Sequence, residues 1–201
     1  MLLLSLFSGC SINDGRITIN VYNWGQYISE GDDGCIDVIA EFEKAYPNIR
    51  VNYVTFDSNE TMYTKMSNGG ITVDVIIPSD YMVGRLIEED MLLPLNFDNI
   101  PNFQYIDEQF KNQPFDPENK YSVPYTYGMV GVIYDSTVVS GTPTSWSLLW
   151  DTTYKGQILT FNNPRDAFGT AMYKLGIDVN TVNNADWKKA YDALEAQKEL
   201  V

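Results

Sequence analysis

The stretch DVIIPSDYMV, which runs from Asp74 to Val83, decides the fold. Its apolar run Val75-Ile76-Ile77 is short and nearly continuous, which is typical of a strand buried on both faces of a parallel sheet. Pro78-Ser79 interrupts the run, and the apolar residues that follow recur at helical spacing. The stretch therefore predicts a strand, a turn and a helix in immediate succession.

Two further pairs of a strand and a helix precede this stretch. Residues 16–22 alternate apolar and polar side chains, as a strand does, and residues 49–56 form a second strand. A helical pattern follows each strand: Pro47 ends the first helix, while Ser58 caps the second and Gly69-Gly70 ends it. The order β-α-β-α-β-α predicts an α/β fold with an open, mostly parallel sheet and helices on its faces.

The pattern changes in residues 121–135, where a long strand-like run is broken by Pro124, Gly128 and Gly131. Because glycine permits backbone rotation, we predict a hinged crossing between a first lobe at residues 16–127 and a second lobe at 128–201. We predict four elements in the second lobe: a short helix after Ser145, a strand at 156–161, and helices at 166–174 and 185–200. We expect this lobe to be incomplete, because the sequence ends within its last helix.

Composition excludes several partners and chemistries. There are 13 Lys and Arg residues against 27 Asp and Glu, a net charge of −14 that repels phosphate backbones, so we expect no nucleic-acid partner. This acidity suits a cationic ligand, but it equally serves solubility. The absence of histidine excludes Ser-His-Asp and Cys-His mechanisms and imidazole zinc sites. The two cysteines form no CxxC pair, and we expect no metal and no cofactor.

The first ten residues, MLLLSLFSGC, form a short apolar run that ends in small residues before Cys10. The run is too short for a hydrocarbon core of about 30 Å. It resembles a bacterial lipoprotein signal, in which Cys10 becomes the lipidated first residue of the mature protein. We therefore expect residues 1–15 to be a lipoprotein-type signal with a short linker, and the protein to be extracytoplasmic and anchored through Cys10. The alternative, a buried N-terminal strand, lacks alternation.

Ligands of open α/β sheets bind beyond the carboxyl ends of the strands. The segment that leaves the first predicted strand carries Trp24 and Tyr27, and the segment that leaves the third carries Ser79, Asp80 and Tyr81. Phosphate-binding turns are rich in glycine, and neither of these segments is, so they do not resemble a phosphate site. Aromatic faces suit apolar groups, sugars or organic cations, and a cation over such a face gains about 0.5–2 kcal/mol. The sequence therefore predicts an aromatic ligand site at this edge of the sheet.

A cationic ligand also needs carboxylates, for which Asp80 and Asp166 are candidates. Structural alternatives stay open for the candidate residues. Trp24 and Tyr27 equally fit core aromatics, and Ser79 equally fits a helix N-cap. Asp166 lies in the first turn of a predicted helix, where a carboxylate also stabilises the helix dipole.

Six blocks of the sequence, in family order, resemble the spermidine/putrescine-binding proteins of bacterial ABC importers: YNWGQYI at Tyr22–Ile28, DSNETMY at Asp57–Tyr63, DVIIPSDYMV at Asp74–Val83, PFDPENKYSVPYTYG at Pro114–Gly128, TSWSLLW at Thr144–Trp150 and NNPRDAFG at Asn162–Gly169. The resemblance extends from about Ile17 to Lys174, which is most of the chain. It implies a periplasmic-binding-protein-like fold, with two α/β lobes that close around a linear polyamine at a hinge.

The resemblance also implies individual roles. Three aromatic residues would stack on the methylene chain of the polyamine: Trp24, Tyr27 and Tyr81. Ser79 would contact an amine, and Asp166 matches a family carboxylate that holds one ammonium end. Asn163 lies where some members have a second acid, which makes it a further candidate for ligand binding.

We therefore expect a monomeric capture protein, not an enzyme, that delivers a polyamine to an ABC permease in the membrane. One alternative keeps the fold but binds another small solute. Another, from a different class, is an extracellular carbohydrate-active enzyme with paired carboxylates across an aromatic cleft. The sequence places no second acid opposite Asp166 for that chemistry.

Overall fold

The structure is a computed structural model that describes residues 15–201, so the predicted signal sequence and its lipidation residue Cys10 lie outside it. The chain divides into two compact units, Met1–Thr126 and Tyr127–Val201. Within residues 15–201, none of the helices combines the length and the apolar character that a membrane span requires.

Three parallel strands form the sheet of the first unit: β1 at Ile17–Trp24, β2 at Ile49–Phe56 and β3 at Val75–Ile76. The strand order is β2-β1-β3, with β1 in the centre. The register of β1 and β2 begins with Ile17 opposite Ile49 and ends with Trp24 opposite Phe56. The strands run in the same direction, so their carboxyl ends share one edge of the sheet. The predicted α/β class with a parallel sheet is confirmed.

A helix follows each strand of the first unit: α1 at Val38–Ala45, α2 at Asn59–Ser67 and α3 at Asp80–Glu88. The side chain of Asp37 caps α1 by accepting the Ala40 N–H at 2.8 Å. Ser58 caps α2 by accepting the Thr61 N–H at 3.1 Å, as the sequence predicts. These local hydrogen bonds explain why both helices begin where they do.

The core of the first unit lies between the sheet and its helices. Five residues form its buried centre: Tyr22, Phe56, Met62, Met82 and Leu86. Trp24 and Tyr81 are partly buried and pack against this centre. The strand β3 is not buried on both faces as predicted, since Val75 is 47% exposed. The reason is that β3 is an edge strand of a sheet with only three described strands.

A buried carboxylate organises the loop after three short 3₁₀ helices, at Phe97–Asn99, Pro101–Tyr105 and Glu108–Phe110. Asp116 accepts hydrogen bonds from the backbone N–H groups of Lys120, Tyr121 and Ser122 and from the Ser122 hydroxyl, at 2.6–3.0 Å. Asp116 is itself buried, so this carboxylate holds the loop together from within.

Two helices dominate the second unit, α4 at Pro164–Leu175 and α5 at Asn184–Gln197. They pack around three buried residues: Ala171, Met172 and Ala190. Gly176 ends α4 with a φ of 66°, a left-handed conformation that glycine adopts at little cost. The predicted short helix after Ser145 is a 3₁₀ helix at Trp146–Trp150, and the Trp150 indole donates to the Ala193 carbonyl at 2.7 Å.

The strand predicted at residues 156–161 is wrong, and the strand-like run at 121–135, which we predict to be a hinged crossing, contains no strand either. Among the described residues, neither 121–135 nor 156–161 forms a strand. Apolar side chains in both runs are almost fully exposed, including Met129, Ile133 and Leu159. A strand needs a neighbouring chain that accepts and donates ladder hydrogen bonds, and no described segment supplies such a ladder to either run.

Candidate functional site

An aromatic row lies at the carboxyl edge of the first unit's sheet, and it consists of Trp24, Tyr27 and Tyr125. The ring centroids of Trp24 and Tyr27 are 6.3 Å apart, and those of Tyr27 and Tyr125 are also 6.3 Å apart. The Tyr125 hydroxyl donates to the Tyr27 carbonyl oxygen at 2.8 Å, which holds one end of the row. Tyr27 is 45% exposed and Tyr125 56% exposed, so the row presents ring surface to solvent.

The end of β1 and the turn after it position this row. Trp24 is half-buried, and its ring contacts that of Phe56, the residue opposite it on β2, at a centroid distance of 4.9 Å. The buried Asn23 side chain accepts the Trp24 N–H at 2.8 Å. Gln26 then adopts a φ of 63°, a conformation that costs a non-glycine residue free energy and reverses the chain. Trp24 is therefore both a core contact and the first ring of the row.

The segment after β3 is fastened to the start of α2. The Ser79 N–H donates to Asn59 Oδ1 at 3.2 Å. The Tyr81 hydroxyl donates to Glu60 Oε1 at 2.8 Å and accepts from Asn59 Nδ2 at 2.9 Å. Ser79 is the N-cap residue of α3, but its side chain makes no capping hydrogen bond. Asp80 is exposed, and its carboxylate accepts the Tyr81 N–H at 2.7 Å.

The structure thus brings the first-unit candidates together in two neighbouring groups on one edge of the sheet. Trp24 and Tyr27 form one group, while Ser79, Asp80 and Tyr81 form the other. Both groups rest on the same buried core cluster, because Trp24 and Tyr81 each pack against it. Aromatic ring surface and hydroxyl groups at an edge of this kind suit an elongated ligand with apolar and cationic parts.

The remaining two candidates belong to the second unit and lie at the start of α4. Asn163 is the N-cap: its Oδ1 accepts the N–H groups of Arg165 at 2.9 Å and Asp166 at 3.3 Å. Asp166 lies in the first turn of the helix and is partly buried. Burial raises the pKa of the Asp166 carboxyl above its ordinary value, because a carboxylate loses hydration there. The helix dipole at this first turn acts in the opposite direction, since it favours a negative charge.

Sequence reasoning missed Asn59, Glu60 and Tyr125. The rule that ligands bind beyond the carboxyl ends of parallel strands applies to β2 as well as to β1 and β3. The segment that follows β2 is Asp57-Ser58-Asn59-Glu60, which the sequence identifies only as a helix start. Applying the same rule to this segment would have identified Asn59 and Glu60 as candidates. Tyr125 carries no such signal, since its contact with Tyr27 spans 98 residues.

A groove of about 270 Å³ lies elsewhere, in the second unit, and its lining includes Val132, Tyr134, Leu149 and Leu159. The predicted site residues are not among those that line it. We base the site on the sheet edge, because the first-unit candidate residues lie there and exposed aromatic rings coincide with the edge where ligands of such folds bind. Within residues 15–201, no group of three or more acidic or cysteine side chains is arranged to hold a metal ion.

Comparison with known proteins adds independent findings. The family model described as "bacterial extracellular solute-binding protein" matches residues 37–199. The chain is 33% identical over 194 residues to the spermidine/putrescine-binding periplasmic protein of Escherichia coli, which covers 96% of this chain and 54% of that protein. The chain spans about half the length of the curated relatives it matches.

Two solved structures are similar to this chain. One, from Listeria monocytogenes and assigned to a spermidine/putrescine ABC transporter, has a TM-score of 0.84 and 39% identity, covering 92% of this chain and 55% of that one. The other, a lipoprotein of Treponema pallidum, has a TM-score of 0.80 and 28% identity, covering 91% and 56%. These likenesses confirm the periplasmic-binding-protein-like fold class. With the family model matched over most of its length, the chain belongs to the bacterial extracellular solute-binding proteins.

Proposed function

We propose that this chain captures a polyamine outside the cytoplasm for uptake by an ABC importer. The observation that carries the proposal is the aromatic row of Trp24, Tyr27 and Tyr125, which is exposed at the sheet edge where ligands of such folds bind. The names of the relatives, which are spermidine/putrescine-binding proteins, support the same ligand class.

A linear polyamine suits this edge for two reasons. Its methylene groups pack against aromatic faces. The three rings of the row follow one another at centroid distances of 6.3 Å, so they offer such faces along the length of an elongated ligand. Its ammonium groups gain about 0.5–2 kcal/mol over each ring face that they approach. The net charge of −14 adds a long-range attraction for cations that weakens as salt is added.

Asp166 is the proposed ammonium contact of the second unit. Asp166 is partly buried, and this burial raises the pKa of its carboxyl because the charged form loses hydration. An ammonium group bound there supplies an opposite charge that lowers this pKa again, so the ligand and the carboxylate stabilise each other. Asn163 already uses its side-chain oxygen as the helix cap, and we propose that its amide contributes to ligand binding as a donor.

We further propose that residues 16–127 and 128–201 are the two lobes of the binding protein, and that it works as a monomer without catalysing a reaction. It would be held at the membrane by a lipid on Cys10 and would deliver its ligand to a permease. The periplasmic relative and the Treponema pallidum lipoprotein support the location and the anchor.

Calorimetric titration of the full-length protein tests the proposal. Spermidine and putrescine are the ligands, and 1,4-butanediol is the control because it keeps the length of putrescine and lacks its charges. We expect saturable binding of the polyamines with micromolar affinity, which corresponds to a binding free energy of about 8 kcal/mol. This affinity should weaken as salt is added. Absence of polyamine binding, or equal binding of the diol, would refute the proposal. A sugar that binds and is hydrolysed would favour the carbohydrate-active alternative.

A further inference from the structure

The start of α2 forms a bracket around the Tyr81 hydroxyl, and the bracket consists of Asn59 and Glu60. Asn59 is 1% exposed and uses both ends of its amide, accepting from the Ser79 N–H and donating to the Tyr81 hydroxyl. Glu60 Oε1 accepts the hydroxyl proton of Tyr81 at 2.8 Å. Each hydrogen bond joins α2 to the start of α3, either to its N-cap residue Ser79 or to Tyr81 in its first turn, so the bracket fixes where the Tyr81 ring lies.

The second oxygen of Glu60 is unusual. Glu60 Oε2 is shielded from solvent and has no hydrogen-bond partner within the described structure. An unpartnered carboxylate oxygen away from water costs free energy, and native proteins rarely keep one without a use. Water screens a shielded charge less than an exposed one, so the field of Glu60 reaches its surroundings more strongly than that of an exposed acid such as Asp80.

We propose that Glu60 is a positioning residue that makes Tyr81 selective for cationic ligands, an inference that rests on the proposed function. The hydrogen bond from the Tyr81 hydroxyl to a carboxylate shifts electron density toward the ring, which makes the ring face more negative. A more negative face attracts an ammonium group more strongly. Because two hydrogen bonds already hold the hydroxyl, the ring also loses little conformational freedom when ligand binds.

A purely structural role for Glu60 predicts something different. If the side chain only anchored the segment after β3, any acceptor that reaches the Tyr81 hydroxyl would serve as well as a carboxylate. Glu60→Gln keeps one acceptor oxygen for the Tyr81 hydroxyl, removes the charge and replaces the second oxygen with an amide NH2, so it separates loss of the charge from loss of the acceptor. The matched control is Glu88→Gln, which removes one exposed acid from α3.

The experiment compares spermidine affinity and melting temperature in the full-length protein and its variants. We expect Glu60→Gln to weaken spermidine binding about fivefold or more, with a small change in melting temperature. We expect Glu88→Gln to change affinity by less than about twofold, since its charge is exposed and screened. Spermidine affinity in Glu60→Gln equal to that of the unmodified protein would overturn the inference.

Tyr81→Phe supplies a second and independent test. It removes the hydroxyl through which Glu60 acts, so it should weaken spermidine binding by itself, and Glu60→Gln should have no further effect in its background. An equal loss from Glu60→Gln in both backgrounds would show that Glu60 does not act through Tyr81. Should Glu60→Gln fail to fold, Glu60→Asp, which shortens the side chain by one methylene group and removes its reach to the Tyr81 hydroxyl, takes its place, and its loss of affinity should be confined to the background that keeps Tyr81. If the unmodified protein binds no polyamine, the proposed function fails first, and this inference fails with it.

Discussion

Replacing Trp24 with alanine separates the two roles that the structure gives this residue. Trp24 contacts Phe56 in the core and also forms the first ring of the aromatic row. Truncation of a fully buried tryptophan costs about 3–5 kcal/mol of stability, and a half-buried one about half of that. This is less than the about 5–15 kcal/mol by which most domains are stable, so Trp24→Ala should remain folded.

The expected loss of polyamine affinity in Trp24→Ala is about 1–3 kcal/mol, which corresponds to roughly 5- to 150-fold in Kd. The affinity is measured by calorimetry at fixed salt, and the stability of the same preparation by urea denaturation. Trp24→Leu is the companion variant, because leucine keeps apolar contact with Phe56 and removes the ring face. Its stability should recover in part, whereas its affinity should not.

A result that contradicts this reasoning is easy to recognise. If Trp24→Ala lost stability but bound spermidine like the unmodified protein, Trp24 would be a core residue only. If Trp24→Leu recovered both stability and affinity, apolar volume at this position would matter and the aromatic face would not.

Three further predictions follow from charges in the structure. Asp166→Asn should weaken polyamine binding more at low salt than at high salt. Burial raises the pKa of Asp166, so ionisation of this carboxyl costs stability, and that cost appears as pH rises through the raised pKa. The variant should therefore melt at the same or a higher temperature at pH 7. A lower melting temperature would indicate a helix-dipole role instead. Asp116→Asn should lose about 2–4 kcal/mol in urea denaturation, because buried donors lose their acceptor. Hydrogen bonds from Tyr63 and Arg85 lower the pKa of Glu89. The Glu89 carboxylate therefore contributes to stability above the ordinary pKa of 4.5, and this contribution is lost as pH falls through the lowered pKa. Glu89→Gln should remove that part of the loss of stability in acid, and an unchanged dependence of stability on pH would contradict this prediction.

The first unit was predictable because its signals are local. The strand pattern of β1 and the Ser58 cap of α2 act within a few residues, and both elements form where the sequence predicts them. The strand predicted at residues 156–161 failed for the opposite reason. A local apolar pattern indicates which side chains avoid water, but a strand also depends on a partner chain that no local pattern specifies.

The residues of the candidate site were likewise predictable only where the signal is local. The edge rule located Trp24 and Tyr27 from the sequence, since the position of a residue after a strand is a local property. It did not locate the role of Glu60, whose hydrogen bond to Tyr81 spans 21 residues. A glutamate at the start of a helix is already explained by the helix dipole, so only the edge rule applied to the segment after β2 would have singled out Glu60.

The two kinds of group at the sheet edge should contribute to polyamine affinity in ways that salt separates. Contact between methylene groups and the rings of Trp24 and Tyr27 depends on buried apolar surface, which moderate salt hardly changes. The attraction for ammonium groups depends on charge and is screened, though less so where the carboxylate is shielded as in Glu60. Loss of a ring should therefore lower affinity by a similar factor at every salt concentration. Loss of a carboxylate should instead make affinity depend less steeply on salt concentration. Removing Glu60, which is shielded from water, should still weaken binding at salt concentrations where removing an exposed acid no longer does.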